Sequence, residues 1–222
     1  MKKRNLVAID GPAGSGKSTV AMKTAKELGF LYIDTGAMYR ALTLAAIKKG
    51  VDLEDEKALL NLSENTSIEL KDSGGALKVY LDQKDVSEDI RTMEVTTKVK
   101  HLASVKDVRE NMVRIQRKLG ASSAGAVLEG RDIGTVVFPE AAHKFYLDAD
   151  FETRVTRRFN ELRERDITAS LGAVKEDLRR RDSSDMKRKV GALKKADDAV
   201  VIDTTNMAVD EVVRHILDTI KK

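Results

Sequence analysis

One short glycine-rich segment constrains this chain more than any other feature. Eight consecutive residues match the pattern G-x-x-x-x-G-K-S/T at every position, and they read Gly11-Pro12-Ala13-Gly14-Ser15-Gly16-Lys17-Ser18. The apolar run at residues 6–9 precedes the segment, as a buried strand would, and the residues from 17 to about 28 have the pattern of a helix. In this strand–loop–helix context, the segment is typical of a phosphate-binding loop (P-loop).

The residue types in this loop suit a nucleoside triphosphate. Glycines let the backbone wrap closely around an anion with its N–H groups pointing inward. The start of the helix adds the positive end of the helix dipole. Lys17 would reach the β- and γ-phosphates, and the Ser18 hydroxyl would bind Mg²⁺. We therefore predict ATP and Mg²⁺ as ligands, with Ser18 on the metal. The predicted nucleotide contacts are Gly11, Pro12, Ala13, Gly14, Ser15, Gly16, Lys17, Ser18 and Thr19.

Five apolar, β-branched runs alternate with longer amphipathic stretches. They lie at residues 6–9, 30–33, 126–128, 144–147 and 199–202, and each stops at an acidic or hydroxyl residue that leads into a turn or helix. This alternation predicts an α/β fold with a parallel sheet and crossover helices. The helix after the second run should extend to about residue 49, with Thr35 as its cap.

Two regions interrupt this alternation. Residues 63–86 alternate apolar and polar around Gly74-Gly75, which predicts a β-hairpin with its own small sheet. Two helices should follow, from about residue 92 to 103 and from 107 to 119. Residues 151–195 have a helical pattern and are rich in arginine. We interpret both regions as insertions into the core rather than as linkers.

Composition excludes several classes of protein. The 222 residues include no cysteine, so a disulfide framework, a thiolate zinc site and a cysteine nucleophile are excluded. The run at residues 6–9 is too short for a signal peptide or a membrane span, and we expect a cytoplasmic protein. The net charge of +4 suits polyanions, but with 4% aromatic residues there are few surfaces for stacking single strands. We expect small-molecule substrates, no nucleic-acid or membrane partner, and a monomer.

The phosphoryl acceptor has to be inferred from the rest of the chain, and water, an alcohol and another phosphate are the alternatives. The Asn/Thr-Lys-x-Asp segment with which GTPases read their base is absent from the sequence. A phosphate acceptor needs no general base, because its second pKa of about 6 leaves it mostly dianionic at neutral pH. Two polyanions approach each other only if fixed cations lie between them, preferably forked arginines.

Arginines occur where such a site would need them. Arg40 lies in the helix after the second run, and Arg131 directly follows the third, so both should face the crevice outside the strand ends. Arg181, Asp185 and Arg188 are spaced i, i+4, i+7, which places them on one helix face. A solvated, salt-bridged surface is the alternative for the arginine-rich helices. It leaves open the roles of Arg154, Arg157 and Arg158.

Three longer motifs resemble those of the bacterial cytidylate kinases. They are IDGPAGSGKS at residues 9–18, YIDTGAMYR at 32–40 and GRDIGTVVFP at 130–139, and Asp85-Val86-Ser87 and Ile90-Arg91 agree as well. The similarity extends from about residue 5 to 218. It implies a P-loop NTPase fold, in which a five-stranded parallel sheet flanked by helices carries a small β-containing monophosphate-binding insertion and a helical lid. The core would be residues 1–62, 105–152 and 191–222, with the insertion at 63–104 and the lid at 153–190.

The resemblance also implies an activity and roles for single residues. The reaction would be transfer of the γ-phosphoryl of MgATP to CMP or dCMP, giving CDP or dCDP and ADP. Asp185 corresponds to a ribose-binding residue, and Arg109 and Asp132 correspond to residues that read cytosine. Asp132 could instead pair with Arg131 or cap a helix. The residues that correspond to those holding the acceptor phosphate or the transferring group are Thr35, Arg40, Arg131, Arg181 and Arg188. The predicted catalytic residues are Lys17, Arg131, Arg181 and Arg188.

Two positions depart from the family pattern. Lys100 stands where the family usually has a serine near the base, and an ammonium can only donate hydrogen bonds. It cannot accept from the cytosine amino group and would suit the O4 of uracil, so we predict weaker discrimination of CMP over UMP. Thr96 or Thr97 could supply the hydroxyl instead. The segment at residues 191–193 reads Gly-Ala-Leu in place of Ala-Pro-Leu, which should affect the stiffness of the lid more than the chemistry.

The mechanism expected from this site is direct in-line transfer, without a phosphoenzyme or a general base. Closure of the lid would bring Arg181 and Arg188 over the transferring group and expel water. Glu129, at a predicted strand end, could organise the waters of Mg²⁺ or have a structural role. The alternative functions are a P-loop kinase of the UMP or shikimate type and an ATPase switch or nucleic-acid-binding protein.

Overall fold

A five-stranded parallel sheet forms the centre of the chain. In the computed structural model, which describes residues 3–73 and 76–221, the strand order is β2-β6-β1-β7-β8 and every neighbouring pair is parallel. Strands are numbered along the chain, and β3 to β5 form a second sheet. The five predicted runs are confirmed as β1 (Lys3–Asp10), β2 (Leu31–Asp34), β6 (Ala126–Gly130), β7 (Ala141–Asp148) and β8 (Val200–Asp203).

Helices cover both faces of this sheet. Alternate residues of β1 point to opposite faces, so Leu6 and Ala8 belong to one buried cluster while Val7 and Ile9 belong to the other. The described helices are α1 (Lys17–Leu28), α2 (Thr35–Lys48), α3 (Glu56–Glu64), α4 (Met93–Ser104), α5 (Lys106–Ala121), α6 (Phe151–Glu164), α7 (Leu171–Lys187) and α8 (Val209–Lys221). Within the described ranges, no helix combines the length and apolarity needed to cross a membrane.

The small second sheet confirms the predicted hairpin. Strands β3 (Ile68–Ser73) and β4 (Ala76–Leu81) pair antiparallel, while the Gly74-Gly75 turn lies outside the described residues. A third strand, β5 (Lys84–Asp85), was not predicted and pairs antiparallel with β4. Asp82 and Gln83 connect it with φ angles of 47° and 69°, the left-handed conformation that a two-residue hairpin turn requires.

The cap of α2 corrects one prediction. Asp34, not Thr35, is the N-cap: its carboxylate accepts a hydrogen bond of 2.7 Å from the backbone N–H of Ala37. Thr35 is the first helical residue, and its hydroxyl donates to the carbonyl of Glu129 on β6 at 2.7 Å. Two adjacent residues could both cap a helix, and the one with extended backbone takes the role.

The arginine-rich region is helical over less of its length than predicted. Helices α6 and α7 are joined by a short turn, and α7 ends at Lys187. Arg188 is its C-cap, with ψ of 133°, so the prediction that Arg188 lies on the helix face is wrong. The chain then folds back through Gly191, which has a left-handed φ of 64°, and the N–H of Leu193 donates to the carbonyl of Asp185.

We expect a core substitution on β7 to destabilise the fold strongly. Phe145 is 1% exposed in the cluster between the sheet and α1 and α8, so Phe145→Ala should lower the free energy of unfolding by ~3–5 kcal/mol. Urea unfolding followed by far-UV circular dichroism measures the change. Val201→Ala, on the neighbouring β8 at a site that is 50% exposed, is the control and should change stability by about 0.5 kcal/mol or less. Equal effects of the two substitutions would contradict this placement of the core.

Candidate active site

The carboxyl ends of the five parallel strands meet along one edge of the sheet. The P-loop follows β1, Thr35 follows β2, and Arg131 follows β6. The π-helical turn at Ile133–Val137 is held to this edge because the buried Asp10 accepts hydrogen bonds of 2.8 Å from the N–H groups of Ile133 and Gly134. Ligands of open parallel sheets bind outside this edge, where Lys17, Thr35 and Arg131 follow the ends of their strands.

Glycine is required in the P-loop for two different reasons. Gly11 approaches β7 so closely that a Cβ atom would lie 2.1 Å from the carbonyl oxygen of Leu147. Gly16 is the N-cap of α1 and has a left-handed φ of 88°, which side chains other than glycine rarely adopt. The loop therefore turns tightly into the helix and leaves its backbone N–H groups available to an anion.

Lys17 folds back over the P-loop and is buried. Its Nζ donates to the carbonyl of Pro12 at 2.6 Å and to the Ser15 hydroxyl at 3.4 Å. Burial and the positive charge of Arg131 lower the pKa of Lys17 to about 7, although Glu129 and other acids act in the opposite direction. The ammonium is therefore held where neither water nor a full counterion stabilises its charge.

Ser18, the predicted metal ligand, contacts a buried carboxylate. Its Oγ donates to Glu129 Oε1 at 2.5 Å, and the Tyr32 hydroxyl is 3.4 Å from the same oxygen. Burial raises the pKa of Glu129. The sequence left the role of Glu129 open between metal organisation and structure, and the fold places it directly beside the proposed metal ligand.

An arginine cluster lies over this edge, held by one carboxylate. Asp185 accepts from Arg131 Nε at 2.7 Å and from Arg188 Nη2 at 2.6 Å. Among the acidic side chains that the structure describes, only Asp177 lies within 4.0 Å of the Arg181 guanidinium. Burial, together with repulsion by Arg131 and then Arg158, lowers the pKa of Arg181 to about 10. Burial and then the charge of Arg131 lower the pKa of both Lys17 and Arg181, so these three cations lie close enough to repel one another.

Arg40 reaches the same edge from the next helix. Its Nη2 is 3.1 Å from Asp34 Oδ2, and its buried Nε has no hydrogen-bond partner among the described residues. Asp34, which also caps α2, thus orients Arg40. The sequence did not identify Asp34 as a site residue, although its position at a strand end before a helix was the available signal.

Arg109 and Asp132 form a buried ion pair between Nη2 and Oδ2. This contact resolves the alternatives for Asp132: its partner is Arg109 rather than Arg131, and it makes no capping hydrogen bond. The ring of Tyr39 lies 5.4 Å from the guanidinium of Arg109, and the Tyr39 hydroxyl is buried without a hydrogen-bond partner in the described structure. Burial raises the pKa of Tyr39 to about 12.

The segment after α7 covers this ion pair. A Cβ atom on Gly191 would lie 2.1 Å from Arg109 Nη2 and 2.3 Å from Asp132 Oδ2, so a larger residue here would have to displace the ends of these two side chains. The carbonyl of Gly191 accepts from Arg188 Nη1 at 3.2 Å. The Arg109–Asp132 pair and the arginine cluster are therefore joined through one short segment.

Lys100 differs from the other predicted substrate residues. It is exposed on α4, and within the described residues its ammonium makes no hydrogen bond or ion pair. It lines a surface cleft of about 220 Å³ together with His101, Ser104 and Ser184. The structure therefore brings the other predicted substrate residues together at the sheet edge and leaves Lys100 at a cleft bordered by α7.

The three arginines of α6 whose roles were open have different surroundings. Arg154 is buried and its Nη1 donates to the carbonyl of Ala13 in the P-loop at 3.0 Å. Arg157 donates to the carbonyl of Thr204 at 2.6 Å, and Arg158 pairs with Glu161 on its own helix at 2.8 Å. Of these three arginines, only Arg154 makes a hydrogen bond to the P-loop within the described structure. The local sequence pattern could not indicate this contact.

Comparison with known proteins gives concordant results. The family model described as cytidylate kinase matches residues 7–222. The cytidylate kinase of Bacillus pumilus is 50% identical over 218 residues, covering 98% of this chain and 96% of that relative. That of Lactobacillus johnsonii is 48% identical over 227 residues, covering 100% and 98%.

Solved structures of more distant proteins share the fold. A gluconokinase from Sinorhizobium meliloti has a TM-score of 0.53 at 13% identity, over 100% of this chain and 94% of that one. An uncharacterized protein from Eubacterium ventriosum has a TM-score of 0.53 at 15% identity, over 99% of both chains. At these identities the similarity shows the fold alone.

The depressed pKa of Lys17 predicts proton uptake when ATP binds. At pH 8 the ε-amino group of the free protein is mostly neutral, because its pKa is about 7. Polyphosphate charge favours the ammonium form, so binding should take up close to one proton and should weaken as the pH rises above about 7. Calorimetric titration at pH 8 in two buffers of different ionisation enthalpy measures the uptake. Lys17→Met should abolish the buffer dependence, and equal enthalpies for the unsubstituted protein would contradict the prediction.

Proposed function

The chain belongs to the cytidylate kinase family, and we propose that the residues gathered at the sheet edge carry out its phosphoryl transfer. It is an ATP-dependent nucleoside monophosphate kinase that phosphorylates CMP and dCMP. The observation that carries this conclusion is the match to the family over residues 7–222. The clustering of Lys17, Arg131 and Arg181, whose positive charges repel one another, agrees with a site at which two phosphate groups meet.

The donor nucleotide belongs in the P-loop. Its β- and γ-phosphates would accept hydrogen bonds from the backbone N–H groups at the start of α1 and lie along the positive end of the helix dipole. Lys17 would leave the carbonyl of Pro12 and move to the phosphates, whose charge offsets the burial of the ammonium. The donor would thus be held by the backbone N–H groups of the P-loop and by Lys17.

Magnesium fits the oxygen atoms beside the P-loop. Ser18 Oγ and Glu129 Oε1 are 2.5 Å apart, and hydroxyl and carboxylate oxygens are the ligands that Mg²⁺ prefers. Within the described residues, no group of three or more histidine or acidic side chains could hold a metal by itself. We therefore place Ser18 on the metal and Glu129 on its waters, with the nucleotide phosphates as the remaining ligands. The ion would neutralise charge on the transferring group.

The acceptor belongs beside the P-loop, over the ends of β2 and β6. We assign its phosphate to Thr35, Arg40 and Arg131, which lie at the ends of β2 and β6, and its base to Arg109 and Asp132. A carboxylate can accept from the exocyclic amino group of cytosine, and a guanidinium can donate to the ring acceptors. No general base is required, because the acceptor phosphate is already mostly dianionic at neutral pH.

The lid arginines would stabilise the transferring group. Arg188 and Arg131 share the carboxylate of Asp185, and Arg181 lies on the same helix as Asp185. We assign the ribose hydroxyls to Asp185, so the acceptor sugar would compete with the arginines for that carboxylate and leave guanidinium groups available to phosphate. Residues 63–104 are then the monophosphate-binding insertion and 153–190 the lid, with the core at 1–62, 105–152 and 191–222.

The family membership disfavours the alternative functions. A shikimate-type kinase or an ATPase switch would have no use for the buried Arg109–Asp132 pair as a reader of a pyrimidine base. Lys100 lies apart from this pair in the described structure, so UMP competes through Lys100 only if α4 brings its ammonium to the base, where it could donate to the O4 of uracil but could not accept from the amino group of cytosine.

An acceptor screen tests the assigned function. Purified protein with MgATP and each nucleoside monophosphate should produce ADP fastest with CMP and dCMP, measured by a coupled assay. We predict that Lys100→Ser raises the ratio of kcat/KM for CMP over UMP, with Lys98→Ser, a half-buried position on the same helix that pairs with Glu94, as the control. Slow ATP consumption that CMP leaves unchanged would contradict the function. An unaltered ratio in Lys100→Ser would contradict only the role of Lys100.

Removing the side chain of Arg188 should impair catalysis far more than binding. An arginine that stabilises transition-state charge in phosphoryl transfer is worth about 10³–10⁵ in rate, and we expect Arg188→Ala to lower kcat by at least ~10²-fold. Steady-state kinetics with CMP measure the change. Arg180→Ala is the matched control on α7, since Arg180 is largely exposed and pairs with Asp177. A kcat within a few-fold of the unsubstituted enzyme would remove Arg188 from the mechanism.

A further inference from the structure

The arginine-rich lid and the P-loop are joined by one buried guanidinium. Arg154 lies in the first turn of α6, just beyond the end of β7. Its Nη1 donates both to the carbonyl of Ala13 in the P-loop, at 3.0 Å, and to Asp182 Oδ2 of α7, at 2.7 Å. Its Nε donates to the carbonyl of Ala149 at 3.2 Å. One side chain therefore connects a strand end, the P-loop and the second lid helix.

The P-loop also packs against the lid through apolar contacts. Ala13 belongs to the same small buried cluster as Val155 and Leu162 of α6 and Leu178 of α7. The loop lies so close to α6 that a Cβ atom on Gly14 would be 3.0 Å from the carbonyl oxygen of Arg154. The middle of the P-loop is thus part of the packed interior of the lid.

The partner of Arg154 lies among the residues that face the arginine cluster. Asp182 directly follows Arg181 in the chain, and Asp185, which holds Arg131, is three residues further along the same helix. The position of Asp182 relative to the P-loop therefore fixes where Arg181 and Asp185 stand relative to the donor phosphates.

We propose that Arg154 is a positioning residue that sets the distance between the lid arginines and the P-loop during phosphoryl transfer. This inference rests on the proposed function of the site. Arg154 does not touch the reacting atoms in this arrangement; it acts through the carbonyl of Ala13 on one side and through Asp182 on the other. Errors of about 1 Å in the position of a catalytic group can reduce a rate by about 10²-fold, so loss of the bridge should appear mainly in kcat.

Steady-state kinetics and ATP hydrolysis test this role. We expect Arg154→Met to lower kcat for CMP on the order of 10²-fold, with a smaller change in KM for ATP. The ratio of ATP hydrolysis to CMP phosphorylation should rise, because Arg181 is no longer held over the donor. Arg154→Lys keeps the charge but is shorter and lacks the Nε donor to the carbonyl of Ala149, and should recover only part of kcat. Arg163→Met, at an exposed position on α6, is the control and should behave like the unsubstituted enzyme.

A double-mutant cycle with Asp182→Asn separates positioning from loss of folding. If the two side chains act as one bridge, the combined Arg154→Met and Asp182→Asn substitutions should reduce kcat by much less than the product of the single effects. Thermal unfolding identifies any variant that fails to fold. If Arg154→Met fails to fold, Asp182→Asn, which is isosteric with the unsubstituted side chain, provides the kinetic test alone. Variants that fold and keep kcat and the hydrolysis ratio within twofold would overturn the inference. An unsubstituted enzyme that does not phosphorylate CMP would instead refute the proposed function.

Discussion

The arrangement of this protein depends on bringing several positive charges together at the edge of a parallel sheet. Lys17, Arg131 and Arg181 come from the P-loop, a strand end and a lid helix, and burial and then the charge of Arg131 lower the pKa of both of the others. Assembling like charges in a partly buried site is unfavourable, and the remainder of the fold has to offset that cost. Anionic ligands relieve the same repulsion. Phosphate groups would therefore be favoured here without any base-specific contact.

Buried acids keep this charge in place before a substrate arrives. Asp185 holds Arg131 and Arg188, and Asp34 holds Arg40 while also capping a helix. Each of these carboxylates fixes a guanidinium in a defined direction, which lowers the entropy lost when the arginine meets a phosphate. At Asp185 one carboxylate serves two arginines. The balance between arginines and carboxylates differs from that of an exposed salt-bridged helix, in which every arginine could pair with its own surface carboxylate.

Most of the fold could be predicted from the sequence because its signals are local. Runs of β-branched residues, a P-loop at the end of the first strand and a glycine pair between alternating runs each act over fewer than about ten residues. The features that escaped prediction depend on distant or competing residues. Asp132 pairs with Arg109 across 23 positions and Ser18 with Glu129 across 111, so no local pattern could select these partners. The end of α7 was missed because the amphipathic pattern continues past Lys187, while tertiary contacts with Asp185 turn the chain.

Because the P-loop packs inside the apolar cluster of the lid, the lid helices cannot move independently of the loop that holds the donor. In a lid that packs only on itself, the arginines could approach or leave the donor without affecting the loop that holds it. Here Ala13 contributes to the apolar cluster of the lid, and Arg154 connects the loop to Asp182 of α7. Displacing α7 would therefore expose apolar surface at Ala13 and leave two opposite charges buried without their partner. Because both changes are unfavourable, the packing favours an arrangement in which α7 keeps its position relative to the P-loop. The flexibility needed to admit the acceptor would then lie elsewhere than α7. The segment around Gly191, which covers the Arg109–Asp132 pair, is held by the hydrogen bonds that Arg188 Nη1 donates to the Gly191 carbonyl and the Leu193 N–H donates to the Asp185 carbonyl, and breaking these two bonds would uncover the pair.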